Sequence, residues 1–167
     1  MTSANPRAAD RHSEHNHGRC IAQALKAAAD VCAERGLKLT PIRRRVLELV
    51  WQRHAPVGAY ELLAQFGSGG QPAAPPTIYR ALEFLQAAGL VHRIDSLNAF
   101  MGCDAPSTAH AGQFLVCRAC HQVTELHDAA ITRLLAQKAG EAGFAADAQS
   151  VEIKGLCRHC RKQRAAA

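Results

Sequence analysis

The chain of 167 residues carries a formal net charge of +6 and has a pI near 9.2. This allows one large domain or two small ones and favours an anionic partner, nucleic acid first. The polar N-terminus has no apolar segment typical of a secretory signal, and no apolar run reaches the roughly 18 residues that span a membrane. We therefore expect a cytoplasmic protein with no membrane partner. Its seven cysteines, without an export signal, favour reduced thiols and bound metal over disulfides.

Helical periodicity dominates the first half of the chain. Residues 1–18 lack that periodicity, and we expect them to form a disordered tail. The alanine-rich residues 21–35 are predicted to form a helix that ends at Gly36. A second helix is predicted to start at Pro41, behind a Thr40 cap. Its apolar stripe is predicted to contain Ile42, Val46, Leu49 and Val50.

Two further helices are predicted over residues 59–66 and from Thr77 to a stop at Gly89. The fourth helix has one apolar face, formed by Ile78, Ala81, Leu82 and Leu85. Its other face begins with a hydroxyl, a phenol and a guanidinium, which suit base edges and phosphates in a major groove. The candidate DNA contacts are Thr77, Tyr79 and Arg80, with Tyr60 on the preceding helix. Core packing is the alternative role for Tyr60.

Two short strands are predicted next, over residues 90–95 and 99–103, joined by a turn. Helices followed by a small hairpin predict a winged helix-turn-helix domain over residues 19–103. Residues 104–112, which contain Pro106 and Gly112, are predicted to form a hinge.

Residues 113–162 alternate strand and helix signals and predict a small α/β domain. Because it is too small to bury a large core alone, we expect it to pair with a second copy. The predicted fold class is therefore α+β, a winged helix-turn-helix followed by an α/β dimerisation domain.

This second domain contains two C-x-x-C motifs, and the four cysteines are Cys117, Cys120, Cys157 and Cys160. Four thiolates complete a closed, tetrahedral structural zinc site. A redox pair and disulfides are the alternatives. The strand-then-helix context of a thioredoxin-like motif is missing, and disulfides need an oxidising compartment that nothing in the sequence indicates.

Several motifs resemble, in the same order, those of the ferric uptake regulator family. They are Leu39-Thr40-Pro41, Ala59-Tyr60-Glu61-Leu62-Leu63, Pro76-Thr77-Ile78-Tyr79-Arg80-Ala81-Leu82 and the two C-x-x-C pairs. The resemblance covers roughly residues 21–160. Iron-sensing members typically carry a His-His-Asp-His cluster shortly before the first cysteine pair, where this chain has one histidine, His110. The chain is therefore most similar to the zinc uptake regulator branch.

The resemblance implies a homodimeric, metal-dependent repressor that binds a palindromic operator in double-stranded DNA and has no small-molecule substrate. It also implies a regulatory zinc site, and thus two zinc ions per chain, with the ligands His92, Cys103, His110 and Glu125. One thiolate, two imidazoles and one carboxylate form a tetrahedral zinc set, and the soft thiolate disfavours iron and manganese. Because the four ligands come from the wing, the hinge and the second domain, closing the site would fix one domain against the other.

Other functions are open at this point. The nearest is the same fold sensing iron, manganese or peroxide, followed by a zinc hydrolase, a thiol oxidoreductase or a bare zinc-ribbon interaction module. A closed four-cysteine site leaves no position for a reactive water, and no nucleophile–base pair stands out. A ribbon alone leaves the helix-turn-helix unexplained. The sequence therefore predicts a zinc-responsive repressor and not an enzyme.

Overall fold

The computed structural model of the chain describes residues 17–53, 55–68, 74–107 and 112–165. The chain divides into two compact units between residues 107 and 108, within the predicted hinge 104–112. Most of the predicted tail lies outside the described residues, but its last two residues, His17 and Gly18, already belong to the first helix. The candidate ligand His110 also lies outside the described residues.

The described part of the first unit contains four helices and a three-stranded antiparallel sheet. In chain order these are α1 (His17–Glu34), α2 (Pro41–Trp51), β1 (Val57–Gly58), α3 (Ala59–Ser68), α4 (Pro75–Ala87), β2 (Val91–Ile94) and β3 (Ala99–Gly102). The strands lie in the order β1-β3-β2, and a short 3-10 turn connects β2 to β3. Helices followed by this β2–β3 wing are the predicted winged helix-turn-helix.

Helix α2 is the central helix of this unit. The Thr40 hydroxyl accepts a hydrogen bond from the Arg43 N–H at 3.4 Å, and Pro41 occupies the first turn, so the helix starts as predicted. It contacts α1, α3, α4 and β3. The prediction that Ile42 is buried is wrong, because this residue lies in the first turn and is 40% exposed. Leu47 is buried instead, since α2 has neighbours on several sides.

Helix α4 has the predicted two faces. Its buried side chains are Ile78, Ala81, Leu82 and Leu85. The helix begins at Pro75, earlier than predicted, with a proline in its first turn. It ends before Gly89, whose φ of +72° favours glycine, and the Leu90 N–H closes the end by donating to the Leu85 carbonyl at 2.9 Å.

The described part of the second unit is a three-stranded sheet with two helices. The elements are β4 (Gly112–Cys117), β5 (Val123–Leu126), α5 (Ala129–Glu141), β6 (Ser150–Gly155) and α6 (Arg158–Ala165). The strand order is β5-β4-β6, with β4 antiparallel to β5 and parallel to β6. Asp128 caps α5 by accepting the Ala130 N–H at 2.7 Å. The α+β class is confirmed.

Two elements were not predicted, the two-residue strand β1 and helix α6. Helix α6 has no buried residue and therefore no apolar stripe that periodicity would detect. Across the described ranges, the helices are too short or too polar to cross a membrane.

Candidate metal centres and nucleic-acid surface

The four cysteines of the two C-x-x-C motifs form one cluster in the second unit. Their Sγ atoms all lie within 4.8 Å of one another, and those of Cys120 and Cys157 are 3.8 Å apart. A disulfide needs about 2.05 Å. A tetrahedral zinc with Zn–S bonds of about 2.3 Å places its sulfurs about 3.8 Å apart. The cluster therefore fits zinc and does not form a disulfide in this structure.

Strand pairing and backbone hydrogen bonds position these sulfurs. Cys117 is the last residue of β4, in register with Gly155 at the end of β6. The Cys157 N–H donates to the Cys117 sulfur at 3.3 Å, and the Cys160 N–H donates to the Cys157 sulfur at 3.5 Å. Between the first two cysteines the chain turns tightly, so that the His121 N–H donates to the Cys117 carbonyl at 3.0 Å. In both C-x-x-C motifs, backbone N–H groups therefore point at cysteine sulfur atoms, which carry a negative charge as thiolates.

The thiols of this cluster shift one another's pKa values, because they lie close together and share hydrogen bonds. Burial alone would raise the pKa of Cys117, but donation from the backbone N–H groups of Cys157, Cys120 and Ala119 lowers it to about 6. The side-chain hydrogen bond with Cys157, together with burial and the other nearby sulfurs, raises the pKa of Cys160 to about 12. Closely spaced thiolates repel one another, and a divalent cation between them removes that repulsion.

A second candidate pair of metal ligands lies in the first unit. His92 is on β2, opposite Met101, and Cys103 directly follows β3, where its N–H donates to the Leu90 carbonyl at 3.1 Å. This pairing places a ring nitrogen of His92 within 4.8 Å of the Cys103 sulfur. Cys103 is buried and His92 is half-buried. A thiol beside an imidazole is half of a zinc ligand set.

The other two predicted regulatory ligands, Glu125 and His110, follow the boundary between the two units in sequence. Glu125 lies on β5 of the second unit, where it is 9% exposed and in register with Phe114. His110 lies outside the described residues. The contributions of Glu125 and His110 to a zinc site stay predictions.

The candidate DNA contacts form an exposed surface on α3 and α4. Tyr60, in the first turn of α3, is 76% exposed, which excludes the alternative that it packs in the core. On α4, Tyr79 is 41% exposed, Arg80 is exposed and Thr77 is half-buried. A guanidinium and two phenols thus face solvent at the helix-turn-helix.

The adjacent arginines of α2 have different surroundings. The Arg43 guanidinium lies 3.5 Å from the Phe84 ring centroid and donates to the Lys38 carbonyl, so it packs α2 against α4. Arg45 pairs with Glu48 at 2.8 Å. Arg44 is exposed, and it is the better candidate for a phosphate contact.

A close contact beside the His92–Cys103 pair was not predicted. The indole of Trp51, at the end of α2, packs directly on Gly102, and a Cβ built on that glycine would lie 2.7 Å from Cζ2 and closer still to Cε2 and Nε1. No local sequence pattern indicates this contact, because Trp51 and Gly102 lie 51 positions apart in the chain.

Comparison with known proteins identifies the class to which this fold and these sites belong. Residues 34–154 match the Ferric uptake regulator family, and the chain belongs to that family. It is 34% identical over 139 residues to the zinc uptake regulation protein of Escherichia coli (strain K12), covering 81% of this chain and 80% of that relative. Among solved structures, it is similar to holo XcZur, with a TM-score of 0.78 and 44% identity over 87% of this chain and 99% of the other.

A second solved structure similar to this chain is a zinc uptake regulator complexed with zinc and DNA. The TM-score is 0.80, and the identity is 31% over 91% of this chain and 99% of the other. The resemblance inferred from the motifs is thus confirmed. Membership in a family of regulators, and not of hydrolases or thiol oxidoreductases, decides against the enzyme alternatives.

Proposed function

We propose that this chain is a zinc-responsive transcriptional repressor of zinc uptake and homeostasis genes. The observation that carries the proposal is the His92–Cys103 pair in the wing, directly downstream of an exposed helix suited to DNA. Similarity to a zinc uptake regulator complexed with zinc and DNA supports the same partners for this chain. A DNA-bound repressor acts where the chromosome is, and we infer a cytoplasmic location.

The two metal sites have different proposed roles. Zinc held by four cysteines joins the two C-x-x-C motifs of the second unit. This zinc is structural, because no ligand position is open for exchange or catalysis. Zinc held by His92, Cys103, His110 and Glu125 is regulatory, since its ligands come from both sides of the hinge. A ligand that binds one arrangement of the units better than others shifts the population toward it. DNA and zinc then strengthen each other's binding by the same factor.

The proposed DNA contacts divide into base reading and positioning. Arg80 and Tyr79 on α4 lie on the helix that enters the major groove, with Thr77 at its start. Tyr60, which is exposed on the neighbouring helix α3, contacts the DNA backbone or the edge of a base. These are the four residues whose substitution weakens operator binding in the presence of zinc.

A homodimer is proposed because the second unit exposes an apolar sheet face. Leu115 on β4 and Ile153 on β6 are in register side by side, and they are 39% and 54% exposed. Leu134 on α5 adds a third exposed apolar side chain. Such a face is expected to be covered by a second copy, and a twofold dimer matches a palindromic operator.

The test is metal-dependent DNA binding. Duplexes are selected from a random pool with the zinc-loaded protein, and the affinity for the selected duplex is measured by fluorescence anisotropy. The protein keeps its four-cysteine zinc throughout, while free Zn²⁺, Fe²⁺ or Mn²⁺ is buffered or removed. We expect tight binding with zinc and at least a tenfold loss when free zinc is chelated. Binding that needs iron or manganese, or that peroxide abolishes while zinc has no effect, would support the alternative regulator instead.

A further inference from the structure

We propose that Trp51 is a positioning residue for the regulatory zinc site, holding the strand end that carries Cys103 against helix α2. Through this contact Trp51 couples zinc binding to the helices that contact DNA. The inference rests on the proposed function, and it concerns residues of the first unit alone.

The contact itself is a close approach of an aromatic ring to the backbone. Trp51 is half-buried and packs against the core of the first unit. Its indole occupies the place where any side chain at Gly102 would begin. The glycine is thus required for space, because the indole leaves no room for a Cβ.

The residue that follows Gly102 is Cys103. Gly102 is in register with Val91, the neighbour of His92, and the Cys103 N–H bonds to the Leu90 carbonyl. The indole therefore packs on the residue that directly precedes Cys103 and that pairs with the neighbour of His92. Moving this segment by a fraction of an ångström changes the spacing of His92 and Cys103, to which zinc bonds of about 2.0–2.3 Å are sensitive.

The other end of the connection is the DNA surface. Trp51 ends α2, which packs against both α3 and α4. The Arg43 guanidinium of the same helix lies over Phe84 on α4. One helix therefore contacts the strand that leads to Cys103 at its C-terminal end and the proposed reading helix near its N-terminal end. This continuity provides a physical route for coupling zinc and DNA binding.

The experiment compares Trp51→Leu and Trp51→Phe with Leu25→Ala. Leu25 is a core residue of α1 with 9% exposure, so its truncation controls for a general loss of stability. Each variant keeps its four-cysteine zinc. Zn²⁺ affinity of the regulatory site is measured by competition with a chromogenic chelator. Co²⁺ is then bound at the regulatory site in place of Zn²⁺, and its charge-transfer absorption reports the bond between the metal and the Cys103 thiolate. Anisotropy of the selected duplex gives the factor by which zinc strengthens DNA binding.

We expect Trp51→Leu to weaken regulatory zinc binding about tenfold and to reduce the zinc-dependent gain in DNA affinity at least fivefold. Trp51→Phe, which restores an aromatic ring, recovers most of both. Leu25→Ala lowers the melting temperature but changes neither quantity. The proposal is overturned if Trp51→Leu stays within twofold of the wild type in both, or if Leu25→Ala causes the same losses.

Failure of the proposed function would look different. In that case the wild-type protein itself would show no zinc-dependent binding to the duplex. The zinc affinities and the Co²⁺ spectra would still decide whether Trp51 positions the His92–Cys103 pair.

Discussion

Cys103 is a small buried thiol, and burial alone does not distinguish a ligand from a core residue. Cys32 in α1 gives a matched comparison, because both side chains are 2% exposed and both lie in the first unit. Their neighbours differ. Cys103 lies beside His92 at a distance that a metal can bridge, whereas Cys32 belongs to none of the metal-ligand groups found among the described residues.

We predict that Cys103→Ser abolishes the zinc dependence of operator binding and leaves the fold intact. Loss of the thiolate removes the ligand that favours zinc. Cys32→Ser makes the same chemical change at the same burial and should keep the zinc response. Anisotropy with and without free zinc, and circular dichroism for the fold, measure both. Equal zinc dependence in Cys103→Ser and the wild type would remove Cys103 from the regulatory site.

Arg80 supplies the second prediction at this scale. Replacement by alanine should weaken binding to the selected duplex about tenfold or more, since a bidentate arginine–guanine contact is worth about 1–3 kcal/mol. The regulatory zinc affinity measured without DNA should not change. Arg133→Ala, an exposed arginine on α5, is the control. An Arg80→Ala protein that binds the duplex as tightly as Arg133→Ala would exclude Arg80 from the interface.

Among the elements, strands β4 and β6 carry the proposed dimer surface. Ile153→Asp places a charge in the centre of the apolar face and should convert the dimer to monomer in sedimentation experiments. Lys154 is the next residue of β6 and points to the opposite face of the sheet. Lys154→Asp is therefore the control and should remain dimeric. A dimeric Ile153→Asp protein would place the interface elsewhere.

The elements predictable from sequence are those with a strong apolar period. The buried face of α4 repeats at helical spacing, and its inward residues were all identified correctly. Strand β1 has two residues, too few to show alternation, and exists only because it pairs with β3. Helix α6 has no buried residue, so it lacks the apolar stripe that periodicity would detect. Local patterns thus predicted what packs, and tertiary pairing determined the rest.

For the whole molecule, some of the sites can be predicted from local sequence patterns, and others depend on tertiary packing. The four-cysteine cluster was predictable because two local motifs have only to meet. The meeting of His92 and Cys103 follows from the register of the predicted hairpin. The packing of Trp51 on Gly102 joins residues far apart in sequence, and no local pattern indicates it. Ligand roles for His110 and Glu125 rest on the family resemblance.

The central claim is that one chain holds two zinc ions with different tasks. Four thiolates in a closed site bind zinc tightly and stabilise the fold. The proposed regulatory site must release zinc readily if it is to report the zinc concentration. The two ions should therefore differ strongly in their resistance to chelators.

Native mass spectrometry of the purified protein, before and after mild chelation, tests this claim most directly. We predict a dimer with two zinc ions per chain, of which one is lost readily while the dimer survives with the other. A single, tightly held zinc per chain, even with zinc in excess, would contradict the account. It would leave the four-cysteine site as the only zinc site and remove zinc as the regulatory signal.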